Sequence, residues 1–128
     1  MVKEMNNYVI SEAMEEYLEA IYTLSLDKPA VRITDIAIYL GLSKPSVNRA
    51  VNSLKRAGLV EHEPYGDIIL TPYGAAKGEE CYCKHKSIVK FLVEVLRLER
   101  DAAEHEACKI EHSLSRNTVD KMVTYMTD

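Results

Sequence analysis

The sequence predicts a mainly α-helical protein, in which a three-helix head with a two-stranded hairpin is followed by three further helices. Three observations carry this reading. Apolar residues recur at three- and four-residue spacing near the start, Gly41 separates two short helical stretches, and two short apolar runs flank Pro64-Tyr65-Gly66. A chain of 128 residues fits one domain, or a small domain with an appended helical segment.

The elements follow in order. Ile10, Met14, Leu18 and Ile21 share one face of a helix expected over residues 10–26. Asp27-Lys28-Pro29 stops it, because the residue before a proline avoids helical geometry. Val31-Arg32-Ile33 is long enough only for an extended link or a small strand. Thr34 reads as the N-cap of a short helix with Ile36, Ala37 and Leu40 inward, and Gly41 closes that helix. Leu42 is expected to be buried in the turn. Ser43 is the next cap, with Pro45 in the first turn, where its missing N–H costs nothing. Val47, Ala50, Val51 and Leu54 face inward as far as Ala57, and Gly58 is the stop. Residues 59–63 and 67–71 pair as a hairpin across the turn. Thr71-Pro72 starts a long helix expected to reach Leu98, with Gly74 and Gly78 weakening its first turns. Helices over 101–113 and, capped by Ser115, over 116–126 complete the chain.

Two short helices about a glycine turn, followed by a hairpin, form the winged helix-turn-helix arrangement. In it the second helix enters the DNA major groove and the hairpin reaches the adjacent backbone or minor groove. Net charge is −4, yet residues 43–60 hold Lys44, Arg49, Lys55 and Arg56 and no acid. Screening over about 8–10 Å lets such a patch meet phosphates on an acidic protein. The candidate DNA-binding residues are Ser43, Lys44, Pro45, Ser46, Asn48, Arg49 and Asn52, with Tyr65 on the wing. Arg reads guanine and Asn adenine, each with about 1–3 kcal/mol of discrimination, while Ser and Lys suit phosphates. A solvated helix face also carries such residues; the turn and hairpin around this one favour the DNA reading.

Other classes fall away. No apolar run of about 18 residues exists, the acidic N-terminus is unlike a secretion leader, and three cysteines form no disulfide framework. A cytoplasmic protein is expected. A thiol enzyme using Cys108 with His105 or His112 lacks any oxyanion or substrate-pocket signature, so no catalytic role is expected.

Cys108, Glu111 and His112 are spaced i, i+3 and i+4, which places a thiolate, a carboxylate and an imidazole on one helical face. That set suits a divalent transition metal but supplies only part of a shell. His85 and the pair Glu16/Glu19 are candidates for the rest, although acids opposite an apolar stripe also suit plain solvation. Cys81 and Cys83 point in different directions on a helix and cannot clamp one ion.

Residues 14–22 (MEEYLEAIY), 31–37 (VRITDIA), 43–47 (SKPSV), 70–74 (LTPYG), His85 and 111–115 (EHSLS) together resemble the diphtheria-toxin-repressor family of metal-dependent repressors, in its short, manganese-regulator branch without an SH3-like domain. The resemblance covers nearly the whole chain. It implies a DNA-binding domain over residues 1–74 and a helical dimerisation and metal-binding domain over 75–128. It also implies a homodimer on a pseudo-palindromic double-stranded operator, with no membrane partner, and metal ligands at Glu16, Glu19, His85, Cys108, Glu111 and His112. The manganese branch typically has an acid at position 108, and the iron branch has methionine at position 16. This chain mixes the two, so Mn2+ and Fe2+ are both implied, with Co2+ and Zn2+ as softer options. The iron branch's ancillary site needs a carboxylate where Val89 stands and a histidine where Glu104 stands, so that site is absent or altered. A helical metal-binding module that reads no specific DNA is the competing expectation.

Overall fold

Six helices and one two-stranded sheet follow each other in the computed structural model, which describes residues 10–127. The reading of the first nine residues as free of a leader lies outside the described residues. Two compact units divide between Glu79 and Glu80. Among the described residues, no helix is long and apolar enough to cross a membrane.

In the first unit, Ser11 caps α1 (Glu12–Asp27) by accepting the Met14 N–H at 3.2 Å. The second helix, α2 (Ile33–Leu40), begins one residue before the expected cap Thr34. The reason is Asp35: its carboxylate accepts the Arg32 backbone N–H at 2.9 Å and binds Lys28 Nζ at 2.9 Å. Those two donors hold the Asp35 carboxyl below the ordinary carboxylate range, the Lys28 hydrogen bond contributing most. Gly41 takes φ 69° at the C-terminus of α2, a conformation open to glycine without strain. Leu42, between the C-cap Gly41 and the N-cap Ser43, is 45% exposed, contrary to expectation.

Ser43 opens α3 (Lys44–Arg56) by accepting the Ser46 N–H, and Gly58 ends the turn after it at φ 78°. Strands β1 (Val60–His62) and β2 (Ile68–Leu70) pair antiparallel, Val60 opposite Leu70. Val31 adds a single bridge to Ile68, so the expected link is a one-residue edge to the wing. Leu18, Ile21, Ile36, Val47, Val51, Leu54 and Leu59 are fully buried and close this core. Each such side chain contributes about 1.5–3 kcal/mol by leaving water. Ala50, expected inward, is only half-buried at the rim.

The long α4 (Pro72–Glu94) is capped by Thr71, whose hydroxyl accepts the Gly74 N–H at 3.0 Å and donates to the Gly58 carbonyl at 2.7 Å. Gly74 and Gly78 have a packing reason. A Cβ at Gly74 would lie 1.8 Å from the Leu59 carbonyl oxygen, and one at Gly78 2.8 Å from Tyr22 Cβ.

In the second unit α4 stops at Glu94 rather than Leu98. Arg97 adopts φ 63°, and the Leu98 N–H returns to the Leu92 carbonyl at 3.0 Å, which closes the helix without a glycine. Helices α5 (Arg100–Ile110) and α6 (Arg116–Thr127) follow, the latter with Ser115 accepting the Thr118 N–H. Ile88, Val89, Leu92, Ala103, Ala107 and Val119 form this unit's core.

Candidate nucleic-acid interface and candidate metal centre

The apolar stripe of α3 fixes which side chains face water. With Val47, Val51 and Leu54 fully buried, Lys44, Pro45, Asn48, Arg49 and Asn52 are exposed and Ser46 is half-buried. Arg49 Nη2 lies 3.3 Å from Ser46 Oγ, and Ser46 Oγ lies 3.0 Å from the cap hydroxyl of Ser43. The start of α3 thus presents hydroxyls, a guanidinium and free cationic charge on one surface, beside the positive end of the helix dipole.

The wing closes that surface into a groove of about 550 Å3, lined among others by Lys44, Asn48, Thr34, Arg32 and Tyr65. Tyr65, 95% exposed at φ 61°, stands at the hairpin tip. Arg32 was not among the expected DNA-facing residues. Its guanidinium donates to the Tyr65 carbonyl and lies 3.7 Å from Asp67, so it ties the wing and adds the positive charge that the hairpin lacks. Lys55 Nζ donates to the His62 carbonyl at 2.8 Å and holds the other strand. The only sequence signal for Arg32 was its place beside the short Val31 segment.

In the second unit, His85 lies three and four residues before Ile88 and Val89 on α4, so core packing carries it inward to 14% side-chain exposure. Glu111 extends the Ala103/Ala107 stripe of α5 by one more turn and is therefore buried, at 3% side-chain exposure. A carboxylate taken out of water is unfavourable without compensating partners. Here His85 Nδ1 lies 2.5 Å from Glu111 Oε1, and His112 Nε2, at 5% side-chain exposure, lies 3.6 Å from Glu111 Oε2. On the other side of the His85 ring, Nε2 lies 2.8 Å from Glu104 Oε1.

The expected metal residues are thus placed unevenly. His85, Glu111 and His112 come together. Cys108 is exposed on the last turn of α5, so it does not share the burial of the two residues grouped with it by helical spacing. On α1, in the first unit, Glu19 is half-buried and Glu16 exposed. Val89 is packed in the apolar core at 2% exposure. Glu104 was missed as a partner of His85 because their contact spans 19 residues of sequence. The donor set fits a divalent cation, since a buried carboxylate between two imidazoles offers hard and borderline ligands and needs positive charge.

Comparison with known proteins matches residues 9–68 to the iron dependent repressor N-terminal DNA-binding domain. Residues 71–128 match the iron dependent repressor metal-binding and dimerisation domain. An HTH-type transcriptional regulator of Methanocaldococcus jannaschii is 36% identical over 91% of this chain and 94% of its own length. The HTH-type transcriptional regulator MntR of Geobacillus thermodenitrificans is 32% identical over 86% of this chain and 77% of its own. The structure of the manganese regulator SloR superposes with a TM-score of 0.77 at 29% identity, over 89% of this chain and 53% of that one. The chain spans about half the length of that solved relative. The chain therefore belongs to the diphtheria-toxin-repressor family of iron-dependent repressors, and is a metal-dependent, DNA-binding transcriptional regulator rather than an enzyme.

Proposed function

We propose that this chain is a cytoplasmic, homodimeric repressor of metal-uptake genes that binds its operator when loaded with Mn2+ or Fe2+. The observation that carries the metal half of this reading is the buried Glu111 carboxylate between His85 and His112. Those three residues are proposed as ligands together with Cys108, Glu16 and Glu19, the last three on the family resemblance. Bound metal supplies positive charge that neutralises the carboxylates. Manganese is named for the similar regulator SloR and iron for the family. The Cys108 thiolate favours Fe2+, Co2+ or Zn2+, while the carboxylates favour Mn2+ or Fe2+.

For the DNA half, Ser43, Lys44, Pro45, Ser46, Asn48, Arg49, Asn52 and Tyr65 are the proposed contacts, with Arg32 added by its place in the groove. A dimer of such heads reads a pseudo-palindrome whose half-sites lie about 34 Å apart, or a multiple of that. Metal regulates only if it binds the DNA-competent geometry more tightly than the alternative; equal affinity for both shifts nothing. The experiment pairs two variants on a duplex selected from random sequence by the metal-loaded protein. Arg49→Ala should lose operator affinity and keep metal, whereas Glu111→Gln should lose both. Full DNA binding by Glu111→Gln in chelator would contradict the reading.

A further inference from the structure

We infer that Glu104 is a positioning residue for the metal centre, accepting the Nε2–H of His85 and so leaving Nδ1 as the nitrogen that faces the ion. The inference rests on the proposal that His85 and Glu111 hold metal. His85 stands between two carboxylates of different character. Glu111 Oε1, 2.5 Å from Nδ1, belongs to a side chain with 3% exposure. Glu104 Oε1, 2.8 Å from Nε2, belongs to a side chain with 46% exposure, and its other oxygen lies 3.6 Å from Arg100 Nε.

The two ring nitrogens point away from each other, so one ion cannot bind both. On the Nδ1 side the ion has a buried carboxylate that needs its charge. On the Nε2 side the carboxylate is solvated and already faces Arg100. The residue one turn beyond His85 on that helix is the buried, apolar Val89, which offers no donor. Glu104 is therefore best used as a hydrogen-bond acceptor. A metal-bound imidazole whose second N–H is held by a carboxylate is fixed in tautomer and ring orientation, and losing such a partner typically weakens metal binding about 10–100-fold.

The test uses the full chain with Zn2+ as a diamagnetic probe. Nitrogen-15 NMR of the loaded protein should show His85 protonated at Nε2 and metallated at Nδ1. Zn2+ affinity should fall about 10–100-fold in Glu104→Ala and recover most of that loss in Glu104→Gln, whose amide oxygen still accepts. Melting of the metal-free Glu104→Ala protein should match wild type. Unchanged affinity in Glu104→Ala overturns the inference. So does metallation at Nε2 with no rescue by glutamine, which would make Glu104 a ligand itself. His85→Ala and Glu111→Gln are measured alongside. If they bind Zn2+ as wild type does, the metal-centre proposal itself fails, a result distinct from failure at Glu104 alone.

Discussion

At position 111 the helical stripe of α5 asks for a small apolar side chain, as at Ala103 and Ala107, and the chain supplies a carboxylate. Removing one partner of a buried polar cluster is strongly unfavourable, whereas replacing the whole cluster with well-packed apolar groups is often neutral or stabilising. Glu111→Leu, which leaves His85 and His112 without that carboxylate, should therefore melt lower than wild type in chelator, and should also lose the rise in melting temperature that metal gives wild type. That rise corresponds to about 2.7 kcal/mol at a metal concentration 100 times Kd. Calorimetry with and without metal checks both halves. Asp35 gives a second prediction. Its carboxyl is held low by Lys28 and the Arg32 N–H, so the folded state favours the ionised form. The resulting stabilisation is present above the ordinary carboxylate pKa of about 3.9 and is lost as pH falls through the depressed folded value. Asp35→Asn should be less stable than wild type at neutral pH, and the gap should close in strong acid, as read by urea unfolding across pH.

At the scale of elements, local chemistry was legible and tertiary chemistry was not. Ser43 and Ser115 cap their helices, Gly41 and Gly58 take positive φ, and the hairpin turns at Pro64-Tyr65-Gly66. Each of these is decided within four or five residues. The end of α4 was misjudged because a left-handed Arg97 closes it where no glycine signals the stop. The start of α2 was misjudged because Asp35 reaches back to Arg32, a reach that Thr34 as an alternative cap obscured. Helical spacing alone grouped Cys108 with Glu111 and His112, yet burial separates them, since the depth of each position depends on what packs against the helix. The pairing of His85 with Glu104 and Glu111 lies across two helices and has no local signature. Gly74 looked like a weakness in α4 and is a close-packing position. Gly74→Ala should cost about 1–3 kcal/mol by forcing the Leu59 backbone away, which equals or exceeds the gain of about 1 kcal/mol in helix propensity. Ser43→Ala should cost about 1 kcal/mol through loss of the α3 cap. Chemical denaturation of the two variants checks these values.

For the whole molecule, an acidic chain carries a basic reading helix, and the two features have separate tasks. The cationic surface at α3 meets phosphate, so operator affinity should fall steeply with salt, with a slope that drops by about one when Lys44 is replaced by Ala. In the proposed function the carboxylates serve metal, and metal decides when the reading helix is used. A coupling of that kind is typically 1–3 kcal/mol, or about 5–150-fold in affinity. The most direct measurement is the binding of a selected pseudo-palindromic duplex by fluorescence anisotropy, in Mn2+ or Fe2+ without oxygen and again in chelator. Metal-dependent repression predicts tighter binding with metal by a factor in that range, lost together with metal binding in Glu111→Gln. Equal affinity in metal and in chelator would contradict it.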